Sequence, residues 1–485
     1  MTKTTPLLLK DIYHLALGTD DGGRRRGVDV LIEDGRVAAI GDNLSATQLG
    51  SDAPLTTIDC STKLVIPGLV NTHHHMYQTL QRNIPAVQNA PLFEWLVNLY
   101  PIWSHLTAEA VEVSTQLACA ELLATGCTTS SDHHYLFPNA VTDELIDVQI
   151  AAAARMGMRF CATRGSMSRG KDDGGLPPQS VVQKEEAILD DSARLLERYH
   201  DPSPLSMCRV ALAPCSPFSV SEQLMKQTTV LARKHGVMLH THLAETLDEE
   251  QYCEAHYGCR PLELMRRWEW VGPDVWYAHG VHFDDAELEL LAETETGVAH
   301  CPSSNMRLGS GICRVPEMLD KGIRVGLAVD GSASNDSSDM LGELRNALLL
   351  SRVRYGPSAM TADQVLKLAT HGSASLLGWE AIGSVEVGKA ADLAIFEMQR
   401  LDYAGALSDP LAAIIFSGAS HRAHTTIVNG KVVLREGKLL GAEGILDSQG
   451  QAPVGAYDED ELRDRANAIS RQMLEAEGHD TRWMP

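Results

Sequence analysis

Short apolar runs alternate along the middle of the chain with stretches in which apolar residues recur every three or four positions. Two of these stretches, 109–124 and 221–235, have the spacing of amphipathic helices. Eight apolar runs have the length and the branched side chains of buried strands, and they lie at 69–75, 128–134, 159–166, 209–216, 238–245, 275–280, 297–304 and 324–331. Eight strand–helix units predict an α/β fold, a parallel (β/α)₈ TIM-like barrel.

The two ends of the chain carry a different pattern, in which short β-branched runs are separated by turn residues. Asp34-Gly35 and Asn429-Gly430 each lie between two such runs. Dipeptides of this type supply the positive φ angles of tight hairpin turns. We therefore expect both chain ends to build one small β-sandwich domain beside the barrel.

These patterns divide the chain into four segments. We expect 1–66 to be the N-terminal half of the β-sandwich, 67–382 the barrel, 383–445 the C-terminal half of the sandwich, and 446–485 a tail. Within the tail, 449–454 is predicted to be a linker and 458–477 a surface helix. Leu462, Ile469 and Met473 form one stripe of that helix, which predicts packing against the barrel.

Composition narrows the class of partner. The 485 residues contain 64 Asp and Glu against 41 Lys and Arg, a formal charge of −23. This charge argues against nucleic acid and anionic membranes, which would repel the chain. The ten cysteines are scattered without a C-x-x-C pair, which is typical of reduced thiols in the cytoplasm. With no apolar run near membrane-spanning length, we expect a cytoplasmic protein that acts on a small molecule.

The candidate chemistry lies at the carboxyl ends of the predicted barrel strands, where barrel enzymes place their active sites. His73 and His75 end the first run and share a face because they are two residues apart. His242 ends the fifth run, His279 the sixth and Asp330 the eighth. An isolated H-x-H or Asp-Gly pair is a weak signal, but their joint placement predicts a catalytic Zn²⁺ site formed by His73, His75, His242 and Asp330.

The end of the fourth run bears on the number of metal ions. A two-metal site in such a barrel needs a bridging lysine-derived carboxylate or glutamate there, whereas 212–216 reads Leu-Ala-Pro-Cys-Ser. We therefore predict one metal per chain. Zn²⁺ is the expected ion, and Fe²⁺ or Mn²⁺ also accept this ligand set.

These residues resemble the amidohydrolase superfamily, in particular its mononuclear deaminase and chlorohydrolase branch. The likeness extends from about residue 7 to 440 and is carried by 67–75, 242–245, His279, 329–331 with Asn335-Asp336, and 388–393. It implies a metal-dependent hydrolase, a small heterocyclic substrate and a homo-oligomer.

Longer stretches are most similar to 8-oxoguanine deaminases, and they lie at 73–78, 92–96, 132–138, 164–167, 174–178, 213–218 and 300–307. Many relatives that deaminate adenosine-like substrates carry histidine where this chain has Cys215, which favours a free base here. The resemblance implies deamination of 8-oxoguanine to urate and ammonia. Guanine, isoxanthopterin and a hydroxylated aminotriazine remain alternative substrates.

Three residues receive catalytic roles. Asp330, as ligand and carboxylate, can accept the proton of the attacking water. The resemblance implies that Glu245 donates a proton to the ring nitrogen, and His279 would stabilise the developing charge. Chloride or an alkylamine as the leaving group remains open. A barrel that has lost its metal and only binds a partner is disfavoured, because all four ligands are present.

Substrate contacts are predicted at six positions, which are Gln78, Trp95, His134, Arg164, Cys215 and Asn305. An amide can donate and accept toward a purine edge. Trp95, with Phe93, could stack on a flat heterocycle. The alternatives are structural: an exposed loop residue at Gln78, lid packing at Trp95, an inert thiol at Cys215, and an Arg164–Asp132 ion pair.

Overall fold

The computed structural model describes residues 6–19, 22–45, 55–141, 144–417, 421–444, 457–482 and 484, and the predicted linker at 449–454 lies outside them. The N-terminal part forms β1 (Leu7–Ile12), β2 (His14–Ala16), β3 (Arg24–Arg25), β4 (Val28–Glu33), β5 (Arg36–Gly41), β6 (Thr56–Asp59) and β7 (Lys63–Pro67). The first predicted hairpin is confirmed, since β4 and β5 pair antiparallel. Between them, Asp34 and Gly35 have φ angles of 48° and 78°.

The predicted barrel is confirmed as a nearly closed sheet in which each strand lies beside its neighbour in sequence. Within the described residues its parallel strands are β8 (Leu69–Asn71), β9 (Cys127–His134), β10 (Arg159–Ser166), β11 (Cys208–Pro214), β12 (Leu239–Leu243), β13 (Val275–His279), β14 (Gly297–His300) and β15 (Val325–Leu327). Several predicted runs extend past the carboxyl ends of these strands. There the chain leaves the sheet and carries the candidate site residues.

The seam between the first and last barrel strands is closed by individual hydrogen bonds. The backbone N–H of Thr72 donates to the carbonyl oxygen of Leu327 at 3.2 Å. Beside it, the backbone N–H of Val329 donates to Oδ1 of Asn71 at 2.9 Å. These bonds fix the residues that follow β8 against those that follow β15.

Helices surround the barrel, and the two predicted from spacing correspond to α2 and α5. In the part of the chain that the structure describes, the α-helices before the C-terminal tail are α1 (Leu92–Trp103), α2 (Ala108–Ala124), α3 (Leu145–Met156), α4 (Glu185–Tyr199), α5 (Glu222–His235), α6 (Leu247–Tyr257), α7 (Pro261–Arg267), α8 (Asp285–Glu293), α9 (Pro302–Arg307), α10 (Val315–Asp320), α11 (Ser332–Asn335), α12 (Met340–Tyr355), α13 (Ala362–Lys367), α14 (Ser373–Leu376) and α15 (Pro410–Phe416). Thr107 and Ser221 cap α2 and α5 through their side-chain oxygens.

Both chain ends contribute to one β unit. The C-terminal strands are β16 (Leu393–Glu397), β17 (Thr425–Val428), β18 (Lys431–Arg435) and β19 (Lys438–Leu439), and they join β7, β2 and β3 in one sheet. A second sheet contains β5, β4, β1 and β6. Apolar side chains from both sheets, including Val30, Val65 and Ile427, pack in a single core, as expected for the predicted sandwich. The domain boundaries at 66, 382 and 445 stay predictions.

The tail forms the predicted helix, α16 (Glu459–Ala476), and its stripe of Leu462, Ile469 and Met473 is buried. The side-chain amide of Gln81 donates to the sulfur of Met473 at 3.2 Å, close to the chain that follows β8. Among the described helices, none combines the length and hydrophobicity that crossing a bilayer requires.

Candidate active site

The carboxyl ends of β8, β12 and β15 bring together the four residues predicted as metal ligands. Oδ1 of Asp330 lies 3.2 Å from Nε2 of His73 and 3.3 Å from Nε2 of His75. Nε2 of His75 lies 3.1 Å from Nε2 of His242. One carboxylate oxygen and three imidazole nitrogens therefore converge on one point.

Hydrogen bonds on the far side of the rings fix the tautomers of two histidines. Nδ1 of His75 lies 2.8 Å from the carbonyl oxygen of His133, and Nδ1 of His242 lies 2.7 Å from that of Cys215. A carbonyl oxygen only accepts, so each Nδ1 must carry the hydrogen and donate it. Each Nε2 then presents a lone pair to the other, an arrangement that a bound cation would stabilise.

The third imidazole is oriented by a relay of rings. Nδ1 of His73 lies 2.7 Å from Nε2 of His240, and Nδ1 of His240 donates to the carbonyl oxygen of Trp276 at 2.9 Å. His240 therefore accepts from His73, which leaves the Nε2 lone pair of His73 facing Asp330. Burial lowers the pKa of His73, His75 and His242, so all three imidazoles are neutral. This donor set fits a divalent metal ion.

A further histidine faces the cluster. His133, on β9, groups with His73, His75 and His242 and stacks on the His242 ring at a centroid distance of 4.7 Å. The predicted substrate contact His134 instead lies against Tyr77 and Phe137, with ring centroids 5.7 Å and 5.0 Å away. The inward residue of this strand end is therefore His133.

Glu245 and His279 form a pair of titratable groups beside this cluster. Oε2 of Glu245 lies 3.5 Å from Nε2 of His279, which lies 3.9 Å from Oδ2 of Asp330. Burial raises the pKa of Glu245 to about 7. Burial alone would lower the pKa of His279, but the charges of Glu245 and Asp330 raise it overall. A carboxyl with a pKa of about 7 suits proton exchange near neutral pH.

Asn305, predicted as a substrate contact, touches His279. Its Oδ1 lies 3.0 Å from Nδ1 of His279, and because an amide oxygen accepts, that nitrogen carries the hydrogen. Nε2 of His279 is thereby directed toward the two carboxylates. Asn305 is buried and orients the imidazole from behind.

The backbone is left-handed at three non-glycine residues of this site. Ala244, His279 and Asp330 have φ angles of 54°, 76° and 65°. Non-glycine residues adopt this region rarely, and such strain often occurs at functional sites. At the first of these turns, the Glu249 carboxylate accepts from the backbone N–H groups of Ala244 at 3.0 Å and Glu245 at 3.1 Å.

A cavity opens onto these groups. Its described lining consists of His75, Gln78, Leu92, Trp95, Leu96, Tyr100, Tyr135, Cys215, Phe218, His242, Glu245, His279, Leu308, Asp330 and Ser334. Three predicted substrate contacts, Gln78, Trp95 and Cys215, are among them. Burial raises the pKa of the Cys215 thiol to about 12, so this residue contributes a neutral surface.

Gln78 packs directly on the chain next to Asp330. A Cβ atom added to Gly331 would lie 1.9 Å from Oε1 of Gln78, so only glycine leaves room for the amide. Gly331 has an ordinary φ angle of −73°, and its role is therefore space rather than backbone freedom. The same Oε1 is buried and has no hydrogen-bond partner among the described residues.

The remaining predicted contact, Arg164, lines a different cavity. Its Nε pairs with Asp191 at 2.6 Å, and its guanidinium lies 4.1 Å from the centre of the Phe137 ring. Asp132, the partner considered from sequence, accepts from the backbone N–H of Met76 at 2.6 Å instead.

Comparison with known proteins decides the family. Residues 64–433 match the profile of the Amidohydrolase family, which covers most of the chain. The chain belongs to the amidohydrolase family. It is therefore a hydrolase that acts on C–N bonds, and it is a member of a metal-dependent family with a His/Asp site in place.

Relatives of this amidohydrolase act on heterocycles. An 8-oxoguanine deaminase from Pseudomonas aeruginosa (strain PAO1) is 48% identical over 429 residues, which cover 88% of this chain and 94% of the relative. A hydroxydechloroatrazine ethylaminohydrolase from Pseudomonas sp. (strain ADP) is 36% identical, with coverage of 90% and 93%. The crystal structure of an atrazine chlorohydrolase from Arthrobacter aurescens TC1, complexed with zinc, superposes with a TM-score of 0.88 at 30% identity, over 96% of this chain and 100% of that one.

Sequence reasoning missed several residues of this amidohydrolase site. His240 could have been found, because it precedes His242 by two residues on one strand and so shares its face. Tyr100 continues the helical spacing of Trp95 and Leu96 on α1. Glu249 gave no signal, since its role depends on a turn whose backbone conformation the sequence does not display.

Proposed function

We propose that the chain is a zinc-dependent aminohydrolase of an amino-oxo purine, with 8-oxoguanine as substrate and urate and ammonia as products. The observation that carries this proposal is the convergence of three imidazole lone pairs and one carboxylate oxygen beside the Glu245–His279 pair. The deaminase relative at 48% identity supports this choice of substrate.

His73, His75, His242 and Asp330 would hold one metal ion per chain. When bound, the ion supplies Lewis acidity that makes water a nucleophile at neutral pH. The zinc-complexed chlorohydrolase supports Zn²⁺, while Fe²⁺ and Mn²⁺ also suit these ligands. The single-metal proposal is supported by Cys215, which stands where a bridging carboxylate would be needed.

The two carboxylate oxygens of Asp330 have different neighbours and therefore different roles. Oδ1 faces His73 and His75, whereas Oδ2 faces His279 at 3.9 Å and accepts from the Ser334 hydroxyl at 3.3 Å. Oδ2 is therefore the atom that accepts the proton of the attacking water. In its protonated form, His279 keeps the Nδ1 hydrogen on Asn305 and donates from Nε2 toward the attacking oxygen, which stabilises the developing charge.

Glu245 completes proton transfer. Because its pKa is raised to about 7, the carboxyl is partly protonated at neutral pH and can donate to a ring nitrogen. The water oxygen bonds to the amino-bearing carbon, the amino group takes up the proton that Asp330 accepted from the water, and the C–N bond breaks to release ammonia. The proton of the remaining hydroxyl passes to Glu245 and restores its protonated carboxyl. A carbonyl remains at that carbon, which converts 8-oxoguanine into urate.

The residues that line the cavity suit a flat, uncharged base. Trp95, Leu96 and Phe218 supply apolar surface, Gln78 offers an amide, and Cys215 a small neutral side chain. A net charge of −23 offers no attraction for phosphorylated substrates.

The second candidate is hydrolysis of a hydroxylated triazine with release of an alkylamine, which the ethylaminohydrolase relative favours. The test is to incubate the purified protein with 8-oxoguanine, guanine, isoxanthopterin and a hydroxylated N-ethylaminotriazine, and to measure ammonia and ethylamine. Ammonia from 8-oxoguanine at the highest kcat/KM would support the proposal. Ethylamine release, or ammonia only from the pterin, would reject the purine while keeping the reaction class.

A further inference from the structure

Helix α1 turns one face toward the cavity. Leu92, Trp95, Leu96 and Tyr100 recur at three- and four-residue spacing and all line it. The metal-ligand cluster comes from strand ends, whereas these four residues come from a helix outside the barrel sheet. Helix α1 therefore supplies one wall of the cavity, while the strand ends supply the proposed metal ligands.

Two polar hydrogens on this wall have no acceptor within the described protein. The indole Nε1 of Trp95 and the hydroxyl of Tyr100 are buried, and neither makes a hydrogen bond with a described residue. The residues are 3% and 1% exposed. Buried donors in native proteins are nearly always paired, so these two donors in the cavity wall are available to a ligand that accepts from them.

Aromatic packing holds both donors in place. The ring of Trp103 contacts Trp95 and Tyr100 at centroid distances of 5.4 Å and 5.9 Å, edge to face in each case. The donors are therefore oriented before a ligand arrives, which reduces the entropy lost on binding.

We propose that Trp95 Nε1–H and the Tyr100 hydroxyl donate to a carbonyl oxygen on the substrate edge remote from the amino-bearing carbon, and that this pair selects 8-oxo purines. The inference rests on the proposed function. In 8-oxoguanine the 8-oxo group lies on the five-membered ring, across the molecule from the 2-amino group. Guanine has a C–H there, which would leave both donors buried and unpaired. A site built to bond a polar substrate group rejects analogues that lack it strongly.

The test uses Trp95→Phe, Tyr100→Phe and the double variant, which keep aromatic rings and remove the donors. We expect each single change to lower kcat/KM for 8-oxoguanine by about 10- to 100-fold, while the much lower value for guanine changes by less than about threefold. Trp379→Phe is the matched control, because Trp379 is also buried with an unpaired Nε1 but lies in a different core cluster. Its ratio of the two substrates should equal that of the unaltered protein.

Product binding separates this inference from the proposed reaction. Calorimetry should show that the unaltered protein binds urate more tightly than xanthine, which lacks the 8-oxo group, and that the double variant loses the preference. An unchanged preference in the double variant would overturn the inference. A third outcome is that no ammonia is released from 8-oxoguanine but the preference for urate is present and is lost only in the donor variants. That outcome would reject the deamination and still support recognition of the carbonyl oxygen.

Discussion

The backbone N–H of Asp330 donates to the carbonyl oxygen of His73 at 3.1 Å, and the side chains of the same two residues meet at 3.2 Å. This third hydrogen bond along the barrel seam therefore also joins two of the proposed metal ligands. The proposed metal site and the closure of the sheet depend on the same pair of residues.

Replacing the Asp330 carboxylate should remove the metal without opening the barrel. Asp330→Asn keeps the backbone bond to His73 but removes the charged ligand, so we expect bound metal to fall below one tenth of an equivalent and ammonia release to disappear. Metal analysis and circular dichroism measure the two effects. Asp336→Asn is the control, because Asp336 pairs with Arg307 at 3.2 Å and should retain its metal. Full metal content in Asp330→Asn would contradict the ligand assignment.

Replacing the Glu245 carboxyl should separate metal binding from chemistry. Glu245→Gln keeps the shape and removes the titrating proton, so metal content should stay near that of the unaltered protein. We expect kcat to fall by about 10²- to 10⁴-fold, the contribution of a general acid–base group. A kcat within tenfold of the original value would exclude the proton-donor role.

Glu249 should act through the backbone of Glu245. Its carboxylate accepts from two adjacent N–H groups, and Gln at this position can accept with only one oxygen. We expect Glu249→Gln to reduce kcat by about tenfold and to destabilise the fold by about 1–3 kcal/mol, because one buried N–H loses its acceptor. The exposed Glu254 on the same helix provides the control variant Glu254→Gln. Equal unfolding midpoints for the two variants would argue against the backbone role.

A methyl group at Gly331 should act through Gln78. The added Cβ would lie 1.9 Å from Oε1 of Gln78, so the amide must move. A misplacement of about 1 Å at an active site can cost 10²-fold in rate, and we expect a fall of about that size in kcat/KM for Gly331→Ala. In a Gln78→Ala background the same change should have little further effect, because coupled residues are not additive. Additive losses in this double-mutant cycle would contradict the proposed contact.

Glu343 should make the stability of the fold depend on pH. Burial raises its pKa to about 8, although the backbone N–H of Ser303 and the amide of Asn335 donate to it. The unfolded carboxyl has the lower pKa, so the folded state binds more protons between about pH 4.5 and 8 and the free energy of unfolding falls as pH rises through this window. Denaturation of Glu343→Gln at pH 5 and pH 8 should show a smaller decline than the unaltered protein. Identical declines in the free energy of unfolding of the two proteins would show that another group titrates in this pH range.

Most of the site residues that could be predicted from sequence lie at the carboxyl ends of barrel strands. His73, His75, His242 and Asp330 follow from one geometric rule, because the carboxyl ends of barrel strands meet at one mouth. The fold was likewise predicted from the eight apolar runs and the two hairpin dipeptides. This was possible because apolar periodicity and turn-forming residues are local properties of the sequence.

Two features could not be predicted from local sequence patterns: which side of a strand faces the barrel interior, and which residues distant in sequence form pairs. Alternation indicates that His133 and His134 point to opposite sides of β9, but not which side is inward; that depends on its register with β8, which shifts at Leu69. Arg164 finds its carboxylate on α4, far along the chain, and no periodicity encodes such a partner.

Selection for thermal stability and selection for catalytic rate conflict at two of the three left-handed residues in this site. Ala244, His279 and Asp330 each occupy a backbone region that costs a non-glycine residue about 1–2 kcal/mol. A library screened only for heat resistance would therefore tend to accumulate glycine or asparagine at these sites, and at His279 and Asp330 the gain would come with the loss of the reaction.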